Sequence, residues 1–338
     1  MTVNWAQVFF NSAITGSLYL IGAVGLTLIY GLSRFPNFAH AEFITLGAYI
    51  GYLVAEQAGL GLPLALVVAF LVTGIVGLVC YRGIFQPLAK GTDVLYRMVN
   101  IVYLKTYKMV GFLRRRGIFQ RLPQRLPQCL IIKGGATIIH LMVTSIALGF
   151  ILRYSIGATW TWKPLYFTAT GSAFDIGPLR VTGLWLMLIF AALALSLAMH
   201  CLLMYTKIGK AIRATSSNPE LASASGINVD RVIWITWFIG AGLAAIAGIF
   251  LGADTAVVPL TGWNIILPIF AVAILGGIGN FYGAIAAAFI IGLAENLGVV
   301  GLVALGLSTS YRLGIAFLIL IVTLIVKPEG LAMLFRRA

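Results

Sequence analysis

The chain has 338 residues, 61% of them hydrophobic and 9% charged, with a formal net charge of +14. A soluble domain of this length carries far more charge. The basic residues sit in stretches between apolar runs, not on a basic stripe interleaved with exposed aromatics, which argues for a membrane and against nucleic acid as the partner.

Apolar runs fall at roughly 8–31, 39–55, 62–82, 136–152, 181–205, 232–252, 264–277, 281–299 and 303–326. Several approach the ~20 residues that cross a bilayer as a helix. The pattern predicts an all-α polytopic membrane protein over 1–338, with eight to nine transmembrane helices, some broken. The opening MTVNWAQVFF lacks a basic n-region and a small-residue cleavage site, so the first run reads as a retained span.

After the first run the chain turns through Arg34, Phe35, Pro36 and Asn37, then restarts carrying His40 and Glu42. Irregular backbone and ionisable groups at membrane depth are costly unless they line a cavity or are buried in protein. Asn37, His40 and Glu42 are therefore candidates for a pathway that takes a polar solute across a bilayer. Glu42 has a second reading, in which it pairs with Arg34 or a neighbouring helix and holds the break together.

The segment 91–134 carries nine Lys and Arg, among them Arg114, Arg115 and Arg116, against Asp93 as its only acid. Asp93, Arg97, Asn100 and Lys108 share one helical face, with Leu95, Val99, Val102, Thr106 and Met109 opposite, the pattern of a helix lying on anionic lipid. RLPQRLPQ repeats proline too closely for a helix. This basic cytoplasmic insertion is read as either interfacial or disordered. Beyond it, Arg153 stands near a span end, from where it reaches the interface.

Residues 206–231 read TKIGKAIRATSSNPELASASGINVDR. Asn218 fits a helix N-cap, Pro219 the first helical position, and Glu220 the positive helix start. Gly226 fits the left-handed residue after the helix end. About two turns result, too short to stand alone, and small residues such as Ala222 permit close approach. The loop reads as a docking element.

The run near 264–277 contains Pro268 and is followed by Gly276, Gly277, Gly279 and Asn280, which predicts a half-helix or broken span. Asn280-Phe281 then opens a Gly-rich helix much as Asn37-Phe38 does. Paired interruptions of this kind point to a transporter's central site, so Asn280 joins the candidates. Glu295 and Asn296, late in that span and facing a helix or a cavity rather than lipid, join the pathway candidates, with structural hydrogen bonding as their other reading and Arg312 as a candidate partner for Glu295. The Gly and Ala residues from 240 to 252 read as close helix packing.

With nine crossings, the basic groups near Arg34, in 82–135, in 207–231 and at Lys327, Arg336 and Arg337 share one side. The N-terminus then lies outside and the C-terminus in the cytoplasm, in a multi-pass inner or plasma membrane protein. Cys80, Cys129 and Cys201 form no CxxC pair and read as free thiols. The three His show no metal-ligand spacing, and no metal or cofactor is expected in this chain. No Walker A sequence is present, since Gly209-Lys210 lacks the upstream Gly and is followed by Ala211. ATP-driven movement would need an ATPase on another polypeptide.

GLTLIYGLSRFPNFAHAEFITLGAYIG resembles the opening signature of the branched-chain amino-acid permease family of ATP-binding-cassette importers. GKAIRATSSNPELASASGINVDRVIWITWFIGAGLAAIAGIFLG is similar to that family's cytoplasmic coupling loop and following span, AILGGIGNFYGAIAAAFIIGLAENLG to its late Gly-rich signature, and KPEGL to its ending. The match is nearest to the first of two permease subunits usually found together. The resemblance implies a non-enzymatic transport subunit that works with a second permease, two cytoplasmic ATPases and an extracytoplasmic solute-binding protein. It also implies that Lys207, Gly209, Arg213, Asn218, Pro219, Glu220, Ala222 and Gly226 belong to the ATPase contact, with Pro219 to Gly226 as the coupling helix. The segment 91–134 departs from the family pattern. Permeases for urea or short amides share these motifs, and a secondary transporter using His40, Glu42 and Glu295 as a proton relay is the alternative from another class.

Overall fold

The computed structural model of the chain describes residues 3–91, 137–160, 162–168 and 173–326. The insertion beyond Gly91, with Cys129, and the tail from Lys327 lie outside these residues.

Each of the nine apolar runs is a helix. They are α1 (Trp5–Ser33), α2 (His40–Tyr52), α3 (Leu62–Cys80) continuing through a wide turn into α4 (Gln86–Lys90), α5 (Ile138–Trp160), α6 (Gly183–Tyr205), α9 (Val229–Asp254), α10 (Thr261–Gly276), α11 (Phe281–Ala304) and α12 (Arg312–Val326). Between α6 and α9 lie α7 (Lys207–Ser217) and α8 (Pro219–Ala224). Among the described residues seven helices are long and apolar enough to cross a bilayer. The chain is a multi-pass membrane protein.

Burial sorts the helices into a centre and a rim. The apolar windows of α1 and α9 are 94% and 72% buried, while those of α6 and α12 are 22% and 11% buried. The rim helices keep outward faces of Leu, Ile, Val and Phe, as lipid contact requires. Small residues let the centre close. A Cβ on Gly248 of α9 would lie 1.9 Å from the Ile44 carbonyl oxygen of α2. No side chain fits there, so α2 and α9 touch backbone to backbone.

The bundle has two distinct ends. At one, Lys90 pairs with Asp230 at 2.6 Å, tying α4 to the start of α9, and the Arg34 guanidinium donates to the Ser216 carbonyl at 3.4 Å, tying the end of α1 to α7. At the other, β1 (Ala173–Ile176) and β2 (Leu179–Thr182) form an antiparallel hairpin with Phe174 opposite Val181. The Asn4 side-chain amide donates to the Pro178 carbonyl at its turn.

Three features differ from the sequence reading. The hairpin was not expected, because its few residues adjoin a long apolar run. The stretch 207–217 is helical: Thr206 caps it by accepting from the Gly209 N–H at 2.9 Å, and Gly209 seats against the Leu202 and Leu203 backbone. The last run is divided at Leu305 to Ser308, so α12 begins at Arg312 rather than near 303.

Candidate functional site

The interruption after α1 is built from the residues the sequence singled out. Arg34 takes the left-handed conformation at φ 55° and closes α1 with its N–H on the Tyr30 carbonyl. Phe35 then enters an aromatic cluster at the loop end, 5.3 Å from Phe85 and 6.4 Å from Trp237 between ring centroids. This anchor turns the chain back into the bundle. His40, the first residue of α2, places Nε2 3.0 Å from the Gly22 carbonyl. Gly22 lies about three turns before the end of α1. The run at 39–55 is therefore a helix that starts inside the bundle, preceded by a re-entrant loop.

The free N–H groups at this internal helix start are satisfied locally, as a buried start demands. Phe38 N–H donates to Ser145 Oγ at 3.1 Å, and Ala39 N–H to Asn37 Oδ1 at 3.1 Å. Glu42 is wholly buried and accepts from Arg153 Nε at 3.1 Å and from Arg153 Nη2. The Arg153 guanidinium also lies 4.6 Å from the Trp263 ring centroid of α10. Arg153 is 6% exposed, so it is an interior partner of α2 and not the interfacial residue expected from its place near a span end. Glu42 pairs with Arg153, and Arg34 serves the α7 carbonyl instead.

The second interruption packs against the first. α10 begins where the Gly262 N–H donates to Thr45 Oγ1 of α2 at 3.0 Å, and Phe270 lies 5.0 Å from Phe38. Asn280 caps α11 by accepting from the Gly283 N–H at 2.9 Å. Asn280 thus caps its helix directly, whereas Asn37 holds the Ala39 N–H just ahead of α2, and the two short helices α2 and α10 meet.

Glu295 lies in a separate cluster. It accepts from Tyr19 Oη at 2.9 Å and from Arg312 Nε at 2.9 Å, while Arg312 Nη2 and Asn296 Nδ2 both reach Thr15 Oγ1. Among the described residues no hydrogen bond joins His40, Glu42 and Glu295 to one another. A cavity of about 630 Å³ adjoins this cluster at the hairpin end, lined in part by Tyr19, Asp254, Asn264 and Arg312. Asn37, His40, Glu42, Asn280, Glu295 and Asn296 do not line it.

At the loop end, Asn218 Oδ1 accepts from the Glu220 and Leu221 N–H groups at 3.0 Å each, and Pro219 opens α8. Gly226 has φ 83°, and the Ile227 N–H returns to the Ala222 carbonyl. Ala222 is buried, whereas Leu221 is 65% exposed. Lys207, Arg213, Glu220 and Gly226 are exposed, and Gly209 is buried at the α6–α7 junction. An open groove of about 840 Å³ runs between α8 and the start of α9. The sequence marked α8 but not the exposed leucine, whose only signal is its place beside the buried Ala222.

A family model described as branched-chain amino acid transport system / permease component matches residues 8–324. The chain is 29% identical over 329 residues to the probable branched-chain amino acid transport permease protein LivH of Methanocaldococcus jannaschii, covering 95% of this chain and 90% of that one. It is also 29% identical over 329 residues to the high-affinity branched-chain amino acid transport system permease protein LivH of Escherichia coli K12, covering 96% and 94%. Against the high-affinity permease protein BraD of Pseudomonas aeruginosa it is 25% identical over 342 residues, covering 97% and 95%.

Proposed function

Because the chain belongs to the family of permease components of branched-chain amino acid transport systems, we propose that it is one transmembrane half of an ATP-driven importer for branched-chain or related amino acids. Its partners in this reading are a second permease subunit, two cytoplasmic ATPases and an extracytoplasmic solute-binding protein. The N-terminus and the hairpin end face outward, and the α7–α8 end faces the cytoplasm, as the clustering of basic loops on one side favours.

The observation that carries the coupling role is α8. A six-residue helix capped at both ends, seated on its neighbours through the buried Ala222 but with Leu221 65% exposed, is too short to be stable alone. Docking on an ATPase supplies the missing contact. Lys207, Gly209, Arg213, Asn218, Pro219, Glu220, Ala222 and Gly226 shape or border that surface. The helix is tied to the gate through α7, which touches the turn after α1 by Arg34, and through the Lys90–Asp230 pair at the start of α9. Movement of α8 is thereby passed to the two central helices, and the bundle rocks between outward and inward access. Within this subunit Asn37, His40, Glu42 and Asn280 hold the interrupted helices, so they set the gate's shape.

Co-purification tests the assembly. The tagged chain, extracted from its native membrane, should bring down two ATPase subunits and a second permease. Recovery of the chain without any ATPase, under conditions that preserve other importers, would contradict it.

A further inference from the structure

We propose that the cavity at the hairpin end is a binding site for the zwitterion of an aliphatic amino acid, with Arg312 receiving its carboxylate and Asp254 its ammonium group. This rests on the importer reading and names where, within this subunit, the solute is held.

The two charges come from different walls. Arg312 opens α12 and Asp254 ends α9, and both line the same space of about 630 Å³, a size suited to a small ligand. The Arg312 side chain is 39% exposed and is held rigidly from behind, by Glu295 Oε2 on Nε at 2.9 Å and Thr15 Oγ1 on Nη2 at 3.0 Å. A guanidinium has five N–H groups in a fixed fork, so donors remain for a carboxylate. Tyr19 completes the support by donating to Glu295. Glu295 offsets part of the Arg312 charge, and the donors left on the guanidinium are the directional kind that favour a carboxylate.

Asp254 is the complementary group. Its Oδ1 accepts from the Trp185 indole N–H at 2.7 Å, which fixes the carboxylate. Among the described residues it has no cationic partner. An acid so oriented, on the wall of a cavity, suits an ammonium ion. Besides Asn264 and three threonines, the rest of the lining is mainly aliphatic and aromatic, with Leu18, Leu188, Phe250 and Ile265 among it. A cation, an anion and an apolar wall together select an amino acid with an apolar side chain, and disfavour amides or sugars that leave the charges unmatched.

The test measures binding to the full chain in lipid nanodiscs with its co-purifying subunits and without the solute-binding protein. The probes are leucine, leucinamide, which lacks the carboxylate, and 4-methylpentanoate, which lacks the amine. The unaltered chain should bind leucine saturably and each truncated probe at least about ten-fold more weakly, as loss of a charge-assisted hydrogen bond requires. Asp254→Asn should weaken leucine to the level of 4-methylpentanoate and leave 4-methylpentanoate unchanged. Arg312→Lys should lose preference for leucine over leucinamide. A uniform fall for all three probes in both variants marks a structural role and overturns the site, as does absence of saturable leucine binding by the unaltered chain. Uptake by the complete assembly is followed in parallel. Leucine uptake without this probe pattern rejects the site alone, whereas no uptake of any branched-chain amino acid rejects the importer reading.

Discussion

Arg153 delivers Nε and Nη2 to the same carboxylate oxygen of Glu42, joining α5 to the internal start of α2. The pair is buried, with side-chain exposures of 8% and 0%. Attraction between such groups offsets the desolvation of both, and removal of one leaves the other uncompensated. Arg153→Met should therefore destabilise the chain by about 3–5 kcal/mol. The double variant Glu42→Gln with Arg153→Met should recover most of that loss. Thermal unfolding in detergent, followed by loss of the monodisperse species, measures both. A double variant as unstable as the sum of its singles would show that the two groups do not act as a pair.

Gly226 tests the coupling loop through backbone alone. Its φ of 83° is a conformation that branched side chains rarely adopt, yet a Cβ there would meet no atom within 4 Å. Gly226→Val should leave membrane insertion intact and uncouple transport from ATP hydrolysis, because the turn that fixes α8 is lost. Gly226→Asn, which tolerates the left-handed region better, should be milder. Uptake and ATPase rates in reconstituted vesicles separate these outcomes. Normal ATP-dependent uptake by the valine variant would count against the docking role of α8.

The Asn218 cap makes a smaller, local prediction. Its side chain satisfies two N–H groups of a two-turn helix. Asn218→Ala should cost about 1 kcal/mol, felt in α8 and not in the bundle. Amide exchange over 219–224 should quicken several-fold while α9 stays protected. Asn218→Asp should behave nearly as the unaltered chain. Equal exchange in all three proteins would mean the cap contributes nothing.

The α2–α9 contact predicts a global effect. Gly248→Leu would drive a side chain into the Ile44 carbonyl. Overpacking of this kind costs about 1–3 kcal/mol or more, here where backbone meets backbone. The variant should insert but fail to form a compact bundle, seen as early aggregation on size-exclusion chromatography. A well-behaved variant would show that α2 and α9 separate easily.

Much of this was legible in the sequence because it is local. The nine apolar runs mark nine helices, and the order Asn218, Pro219, Glu220 and Gly226 spells out α8, since cap chemistry depends only on near neighbours. Arg312 could be named as a candidate partner for Glu295, but the spacing could not show the pair, since the two stand 17 residues apart on different helices. The partner of Glu42 was not legible. Arg153 lies 111 residues away, and no spacing rule reaches across that distance. Nor does the run at 39–55 reveal that α2 starts inside the bundle: depth is set by Phe35 packing on Phe85 and by His40 reaching Gly22. The cavity was missed because Asp254 and Arg312 come to line one space only through the packing of separate helices, and neither stands in a motif.

In the proposed function this chain is a gate moved by a motor carried on other subunits. Its most direct test is uptake into liposomes, comparing the purified chain alone with the chain joined by the second permease, the ATPases and the loaded binding protein. The chain alone should accumulate no branched-chain amino acid under any imposed proton or sodium gradient, and the full assembly should accumulate it only with ATP. Sustained gradient-driven accumulation by the chain alone would contradict the account.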